Sequence, residues 1–299
     1  MISVGAGISL AMTDVAETIT IGALRQAQGD KVVVNRMGFG GMRLCGPGIW
    51  GWPEDRENAL RVLRRAVELG VNFIDTADSY GPEVNEEQIA QALYPYPDGL
   101  VIATKGGLTR GGPGKWERDG RPERLKKCCE ASLRRLKLDR IDIYQLHAPD
   151  EKYPLEDMIG ALVELRDEGK IRFIGVSNFA LEQVQRAREM TEIVSVQNPY
   201  NYAERRDNDD VLDYCEREGL AFLPYFPLGA GDISDNADLE AVAKKHDATV
   251  FQIALAWLLH RSKATLPIPG TQSLQHLEEN VAAARITFDK DDLTRLALR

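Results

Sequence analysis

The chain has 299 residues, 43% of them hydrophobic and 28% charged, with a formal net charge of −9. That length and balance suit a globular protein built as one large α/β barrel or as two ordinary domains. The acidic excess lacks the basic patch that nucleic acid or an anionic membrane requires, which argues against both as partners and leaves room for a small-molecule ligand. A monomer or weak homo-oligomer is expected.

Cys45, Cys128, Cys129 and Cys215 show no CxxC or Cys/His metal spacing. Reduced thiols in a cytoplasmic protein, with no metal site, are the simplest account. No stretch is long and apolar enough to span a membrane, and Met1–Ala11 lacks the basic region of a secretion signal. Residues 1–17 read as a flexible extension, with Met12 a second candidate start, ahead of a single domain over 18–299.

Two β-type runs, Thr18–Ile21 and Val32–Asn35, flank Gln28-Gly29-Asp30 and predict a hairpin. Strand and helix patterns then alternate. Arg36–Gly41 precedes a helix over Arg56–Leu69, Val71–Asp75 precedes Glu86–Leu93, and Leu100–Thr104 precedes Glu123–Leu136. Ile141–Leu146, Ile171–Val176 and Ile193–Gln197 are followed by Leu155–Glu168, Leu181–Met190 and Asn208–Glu218. Leu220–Pro224 leads to Leu239–His246 with Val250–Leu259, and Thr265–Ile268 leads to Leu274–Ala283. Eight unbroken alternations predict a (β/α)8 TIM barrel with an N-terminal β-hairpin. The rival doubly wound sheet would carry a GxGxxG fingerprint, and Gly38-Phe-Gly-Gly-Met-Arg43 ends in arginine instead.

Inward positions alternate along a barrel strand, and barrel active sites lie where strands end. Val71-Phe73-Asp75, Val101-Ala103-Lys105, Ile141-Ile143-Gln145-His147, Ile193-Ser195-Gln197 and Ala221-Leu223-Tyr225 each finish an apolar inward row on a polar or aromatic residue. Asp75, Tyr80, Lys105 and His147 follow neighbouring strands. A phenol near pKa 10 exchanges protons slowly at neutral pH. An adjacent ammonium is expected to lower that value, a carboxylate to hold the ammonium, and a histidine to donate to a substrate oxygen. Taken singly, each residue would more simply cap a loop or pack in the core; their coincidence favours a site.

The segment Gly70-Val-Asn-Phe-Ile-Asp75-Thr-Ala-Asp-Ser-Tyr80-Gly81 resembles the first signature of the aldo-keto reductases. Met158–Phe179 resembles the second, and Leu266–Thr271 with Glu279-Asn280 the third. The resemblance implies a catalytic tetrad of Asp75, Tyr80, Lys105 and His147, with Tyr80 the general acid in reversible reduction of aldehydes or ketones by NADPH, NADH being the alternative cofactor. It implies cofactor contacts at Gly41, Met42, Asp75, Ser177, Asn178, Gln197 and Tyr225, a diphosphate strap over Phe226-Pro227-Leu228-Gly229, and further contacts at Gly270, Thr271, Gln272, His276, Glu279 and Asn280. Phe226 stands where the family often has serine, His276 where it often has arginine, and Gly270 where it often has a basic residue.

The resemblance further implies that the long C-terminal loop of many family members is nearly absent after the Asp289–Leu298 helix pattern, leaving an open pocket walled by the glycine-rich Gly106–Arg121 loop and its Trp116. The Cys45–Pro53 and Ala92–Pro97 segments resemble the bacterial pyridoxal-reductase-like branch. Tyr80, His147 and Trp116 are therefore expected to meet a pyridoxal-like or other bulky or aromatic carbonyl, or a loosely specified one, with Trp50 and Trp52 either lining the substrate site or packing as a lid. Two other functions fit the same residues: a slow cofactor-sensing subunit, as in the family's potassium-channel β-subunits, and a Schiff-base aldolase using Lys105.

Overall fold

The structure, a computed structural model, describes residues 17–22, 30–229 and 233–298. The expected flexible extension before Glu17 and the turn residues Gln28 and Gly29 lie outside the described residues. An antiparallel pair, β1 (Thr18–Gly22) and β2 (Lys31–Asn35), comes first. The barrel begins with β3 (Phe39–Gly40), α1 (Arg56–Glu68), β4 (Phe73–Asp75), α2 (Val84–Leu93) and β5 (Val101–Gly106). A second hairpin, β6 (Leu108–Gly112) and β7 (Lys115–Arg118), interrupts it before α3 (Pro122–Leu136). Then follow β8 (Ile141–Leu146), α4 (Leu155–Asp167), β9 (Ile171–Ser177), α5 (Leu181–Met190), β10 (Ser195–Gln197) and α6 (Asp209–Glu218). The chain continues with β11 (Ala221–Phe222), α7 (Ala237–Lys245), α8 (Val250–Arg261), α9 (Leu274–Ala282) and α10 (Lys290–Arg295).

The parallel sheet has the order β11-β10-β9-β8-β5-β4-β3. The expected eighth strand over Thr265–Ile268 is not a regular strand; it makes a single bridge, Phe222 to Thr265. Its backbone nonetheless closes the barrel. Phe222 N donates to Ala264 O and Leu266 N to Phe222 O, each at 2.8 Å; on the other side Gly38 N donates to Pro267 O at 2.9 Å and Gly40 N to Pro269 O at 3.3 Å. Pro267 and Pro269 have no N–H to return, so this seam is bonded in one direction only. The seam is also tight: a Cβ on Gly270 would lie 2.2 Å from Gly40 O, a separation that only glycine permits.

Arg36 secures the same seam from beneath. Its buried guanidinium donates to the carbonyls of Leu259, Ser262 and Thr265 and to the Thr265 hydroxyl. Below the barrel, Ile21, Val32 and Val34 of the first hairpin join Phe73, Val101, Ala103, Ile143, Ala221 and Leu223 in one apolar cluster. Alternation puts these side chains on one face of each strand, and the hairpin plugs the end opposite the strand exits. Val71, Ile141 and Ile193 depart from the expected inward rows and pack in the clusters that include the helices. Val71 and Ile193 lie just before their strands begin, where the two-residue period does not yet operate.

The helices start where capping chemistry allows. Asp55 accepts from Asn58 N at the head of α1, Thr249 and Gln252 form a capping box on α8, and Ser273 accepts from His276 N on α9.

Candidate active site

Parallel register determines which strand ends face each other. Asp75 lies beside Ala103, Lys105 beside Gln145, Gln145 beside Gly175, and Gln197 beside Ser177. Gly175 leaves room for this polar layer, since a Cβ there would sit 2.4 Å from Ser195 Oγ and 2.9 Å from Gln145 Cγ. The layer gathers around Asp75. Lys105 Nζ donates to Asp75 Oδ2 at 2.7 Å, to Thr76 O at 2.8 Å and to Tyr80 Oη at 3.2 Å. Asp75 Oδ1 accepts from Gln197 Nε2 at 2.7 Å and Gln145 Nε2 at 3.3 Å. The carboxylate is thus satisfied on both oxygens, as a buried charge must be.

His147 packs edge-on to Tyr80, ring centroids 5.8 Å apart, and its Nδ1 lies 3.4 Å from Ser79 Oγ. Asn178, in the left-handed backbone region at φ 61°, donates from Nδ2 to His147 O at 2.9 Å and accepts at Oδ1 from Tyr225 Oη at 2.7 Å. The expected tetrad residues therefore meet within one connected hydrogen-bonded and packed group.

Burial dominates the electrostatics. It pushes the Tyr80 phenol well above its ordinary value, with the Asp75 charge acting in the same direction. The sequence led to the opposite expectation, a phenol made more acidic by its lysine; desolvation reverses it. Burial also lowers Lys105, against the opposing pull of Asp75, and drives His147 well below the ordinary histidine range, helped by the Lys105 charge. The resting site holds a protonated phenol and a neutral imidazole.

A cavity of about 510 Å³ opens above this group. Met42, Asp75, Tyr80, Trp116, His147, Ser177, Asn178, Gln197, Tyr225, Phe226, Pro227, Leu228, Gly229 and Gly270 line it, all residues expected from sequence. Thr271 and Gln272 line an adjoining cavity, where Gln272 Nε2 donates to Arg43 O at 2.6 Å. Other expected residues lie elsewhere. Gly41 is buried against Asn85, and His276, Glu279 and Asn280 line neither cavity. Trp50 and Trp52 also lie off both cavity walls, the latter beneath the Arg56 guanidinium at 4.9 Å.

Leu108, from the expected Gly106–Arg121 wall, also lines the main cavity, and so do Gly40, Arg43, Ile49, Phe251, Ile268 and Pro269, which were unanticipated. Arg43 and Pro269 follow strand exits, and counting onward from those exits would have found them. Phe251 arrives from a helix whose placement no local pattern announces.

The Aldo/keto reductase family model matches residues 36–297, most of the chain. The chain is an aldo-keto reductase. The reductase is 47% identical over 266 residues to an uncharacterized oxidoreductase of Schizosaccharomyces pombe, covering 89% of this chain and 86% of that one. It is 44% identical over 270 residues to the pyridoxine 4-dehydrogenase of Escherichia coli, covering 88% and 94%. Among solved structures, the glycerol dehydrogenase of Gluconobacter oxydans superposes with a TM-score of 0.83 at 28% identity, covering 94% of each chain. An aldo-keto reductase from Klebsiella pneumoniae, crystallised with NADPH, superposes at 0.75 with 28% identity, covering 88% of this chain and 90% of that one. Family and fold agree with the barrel described above.

Proposed function

We propose that this reductase reduces aromatic, pyridoxal-like aldehydes and ketones to alcohols with NADPH, reversibly, through Tyr80 as general acid. The observation that carries the reading is Lys105, fully buried, joining the Asp75 carboxylate to the Tyr80 hydroxyl on the cavity side of the barrel. A relative named as a pyridoxine dehydrogenase and a structural neighbour crystallised with NADPH support the substrate and cofactor classes.

The lining suits the cofactor chemically. Tyr225 offers an aromatic face for a nicotinamide ring, Ser177 a hydroxyl, and Gln197, whose amide donor is committed to Asp75, an acceptor oxygen for a carboxamide. Phe226–Gly229 forms a turn closed by Gly229 N to Phe226 O at 2.8 Å, and Arg43 adds a cation to the same wall. Such backbone and cationic groups suit phosphate oxygens.

Bound NADPH would supply a hydride to the carbonyl carbon. Tyr80 gives its proton to the oxygen, which becomes far more basic than a phenolate as negative charge builds there. The Lys105 ammonium, 3.2 Å away, stabilises the phenolate left behind, and Asp75 keeps that ammonium charged. Neutral His147 donates an N–H to the same oxygen without adding a charge the buried site would resist. The aldolase alternative is disfavoured, because Lys105 is ion-paired, wholly buried and absent from the cavity wall.

Replacing Tyr80 by phenylalanine should lower kcat about 10²- to 10⁴-fold while NADPH binding, followed by the cofactor's fluorescence, stays within about twofold. Retention of most turnover by that variant would count against the assignment. Parallel titrations with NADPH and NADH measure the cofactor preference.

A further inference from the structure

Arg110, on β6, has no place in the tetrad, yet it is the most heavily bonded side chain at the substrate end of the cavity. Its Nη1 donates to Ile49 O and Ser79 O, each at 2.9 Å, its Nη2 to Gly48 O at 2.8 Å, and its Nε to Lys115 O at 2.9 Å. Its Cζ lies 3.6 Å from the Trp116 ring centroid and 5.7 Å from that of Trp50. These partners are carbonyl oxygens and indole rings, so the guanidinium acts as a planar fork and stacking plate.

Backbone bonds also tie the segments it joins: Gly114 N donates to Gly48 O at 2.9 Å and Gly51 N to Gly81 O at 2.5 Å. The β6–β7 pair is two-stranded, its register shifts between Thr109 and Gly112, and all of β7 is exposed. Such a pair is marginal alone. Arg110 fastens it to the Gly48-Ile49 loop and to the peptide just before Tyr80. Ile49, Leu108 and Trp116, which line the cavity, come from these fastened segments. Trp116 stands edge-on to Tyr80, centroids 6.3 Å apart and planes at 85°.

We infer that Arg110 is a specificity-determining positioning residue: it locks the Trp116–Ile49–Leu108 wall against the catalytic phenol and so selects flat aromatic carbonyls over small aliphatic ones. The inference rests on the carbonyl-reductase reading. Arg110 acts through Trp116 and touches neither substrate nor cofactor.

The test is steady-state kinetics at saturating NADPH with 4-nitrobenzaldehyde and propanal, on wild type, Arg110→Ala, Arg110→Lys, Trp116→Ala and the Arg110→Ala/Trp116→Ala double variant. Arg110→Ala should raise KM for 4-nitrobenzaldehyde about three- to tenfold, the worth of one well-placed aromatic contact. Its kcat, its KM for propanal and its NADPH affinity should stay within about twofold. Arg110→Lys should fall between, because lysine keeps charge over the indole but lacks the fork. The double variant should be no worse than Trp116→Ala alone.

Equal losses on both aldehydes, a fall in NADPH affinity, or additive losses in the double variant would overturn the inference. If circular dichroism shows Arg110→Ala unfolded, the lysine variant decides, and a wild-type KM for the aromatic aldehyde in it overturns the proposal. Wild type inactive on both aldehydes would sink the carbonyl-reductase reading and this inference together. An active wild type with an indifferent Arg110 would sink this inference alone.

Discussion

Asp75 is the residue on which the rest of the polar layer depends. It takes three side-chain donors, Lys105, Gln145 and Gln197, in a barrel interior otherwise filled by apolar side chains. Removing one member of a buried ion pair leaves the other charge uncompensated, at a cost of about 3–5 kcal/mol. Lys105→Met should therefore lower the urea midpoint markedly as well as removing activity. Adding Asp75→Asn should restore part of the stability and none of the turnover; a double variant no more stable than Lys105→Met would show that the pair is not the seat of the loss. The four acid–base candidates were legible because each follows a strand exit, and strand parity is visible in the chain. Gln145 stood in the same inward row, but its role as an Asp75 donor depends on strand register. Trp50 and Trp52 were singled out by the resemblance of the Cys45–Pro53 segment and its place after the first strand, and neither says which way a loop turns.

At the scale of elements, the closing seam and the second hairpin depart most from the pattern. Thr265–Ile268 reads as a strand, yet Pro267 within it and Pro269 just after it remove the donors a ladder needs, and closure passes instead to one-way backbone bonds and Arg36. Arg36→Met should leave several buried carbonyls short of a donor and cost roughly 2–4 kcal/mol, seen as a lower denaturation midpoint with an unchanged denaturant slope. A loss under about 0.5 kcal/mol would mean the seam holds without it. The Gly106–Arg121 stretch, expected as a glycine-rich loop, contains the β6–β7 hairpin. Its charged and glycine residues carry no apolar alternation. What orders it is a guanidinium reaching carbonyls more than thirty residues away along the chain.

Over the whole molecule, buried ionisable groups make stability depend on pH in opposing directions. His147 is held below its ordinary value, so it opposes folding as pH falls below about 6.5, where the unfolded chain takes up a proton that the folded one refuses. Asp78 is the reverse case. Its carboxyl is buried, its Oδ1 lacks a hydrogen-bond partner, and burial pushes its pKa up to about 7. Between about pH 4 and 7 the unfolded chain releases this proton first, so the group's contribution to stability is lost as pH rises. Asp78→Asn should therefore gain stability relative to wild type between pH 4.5 and 7.5, read as the difference in urea midpoints. A difference independent of pH would place the ionisation elsewhere.

The alternation of strands and helices and the residues at strand exits were determined by the sequence alone, because hydrophobic period and turn chemistry act over a few neighbours; the inward rows were so determined only in part, since Val71, Ile141 and Ile193 pack toward the helices. Sequence motif and family match carried the reaction class for the same reason: the motif residues are close together in the chain. The direction of the Tyr80 shift, the one-way seam at Pro267 and Pro269, and the Trp116 wall under Arg110 were decided only by tertiary structure. Desolvation, register and a fork of hydrogen bonds to distant carbonyls depend on which segments meet, and distance along the chain does not encode that.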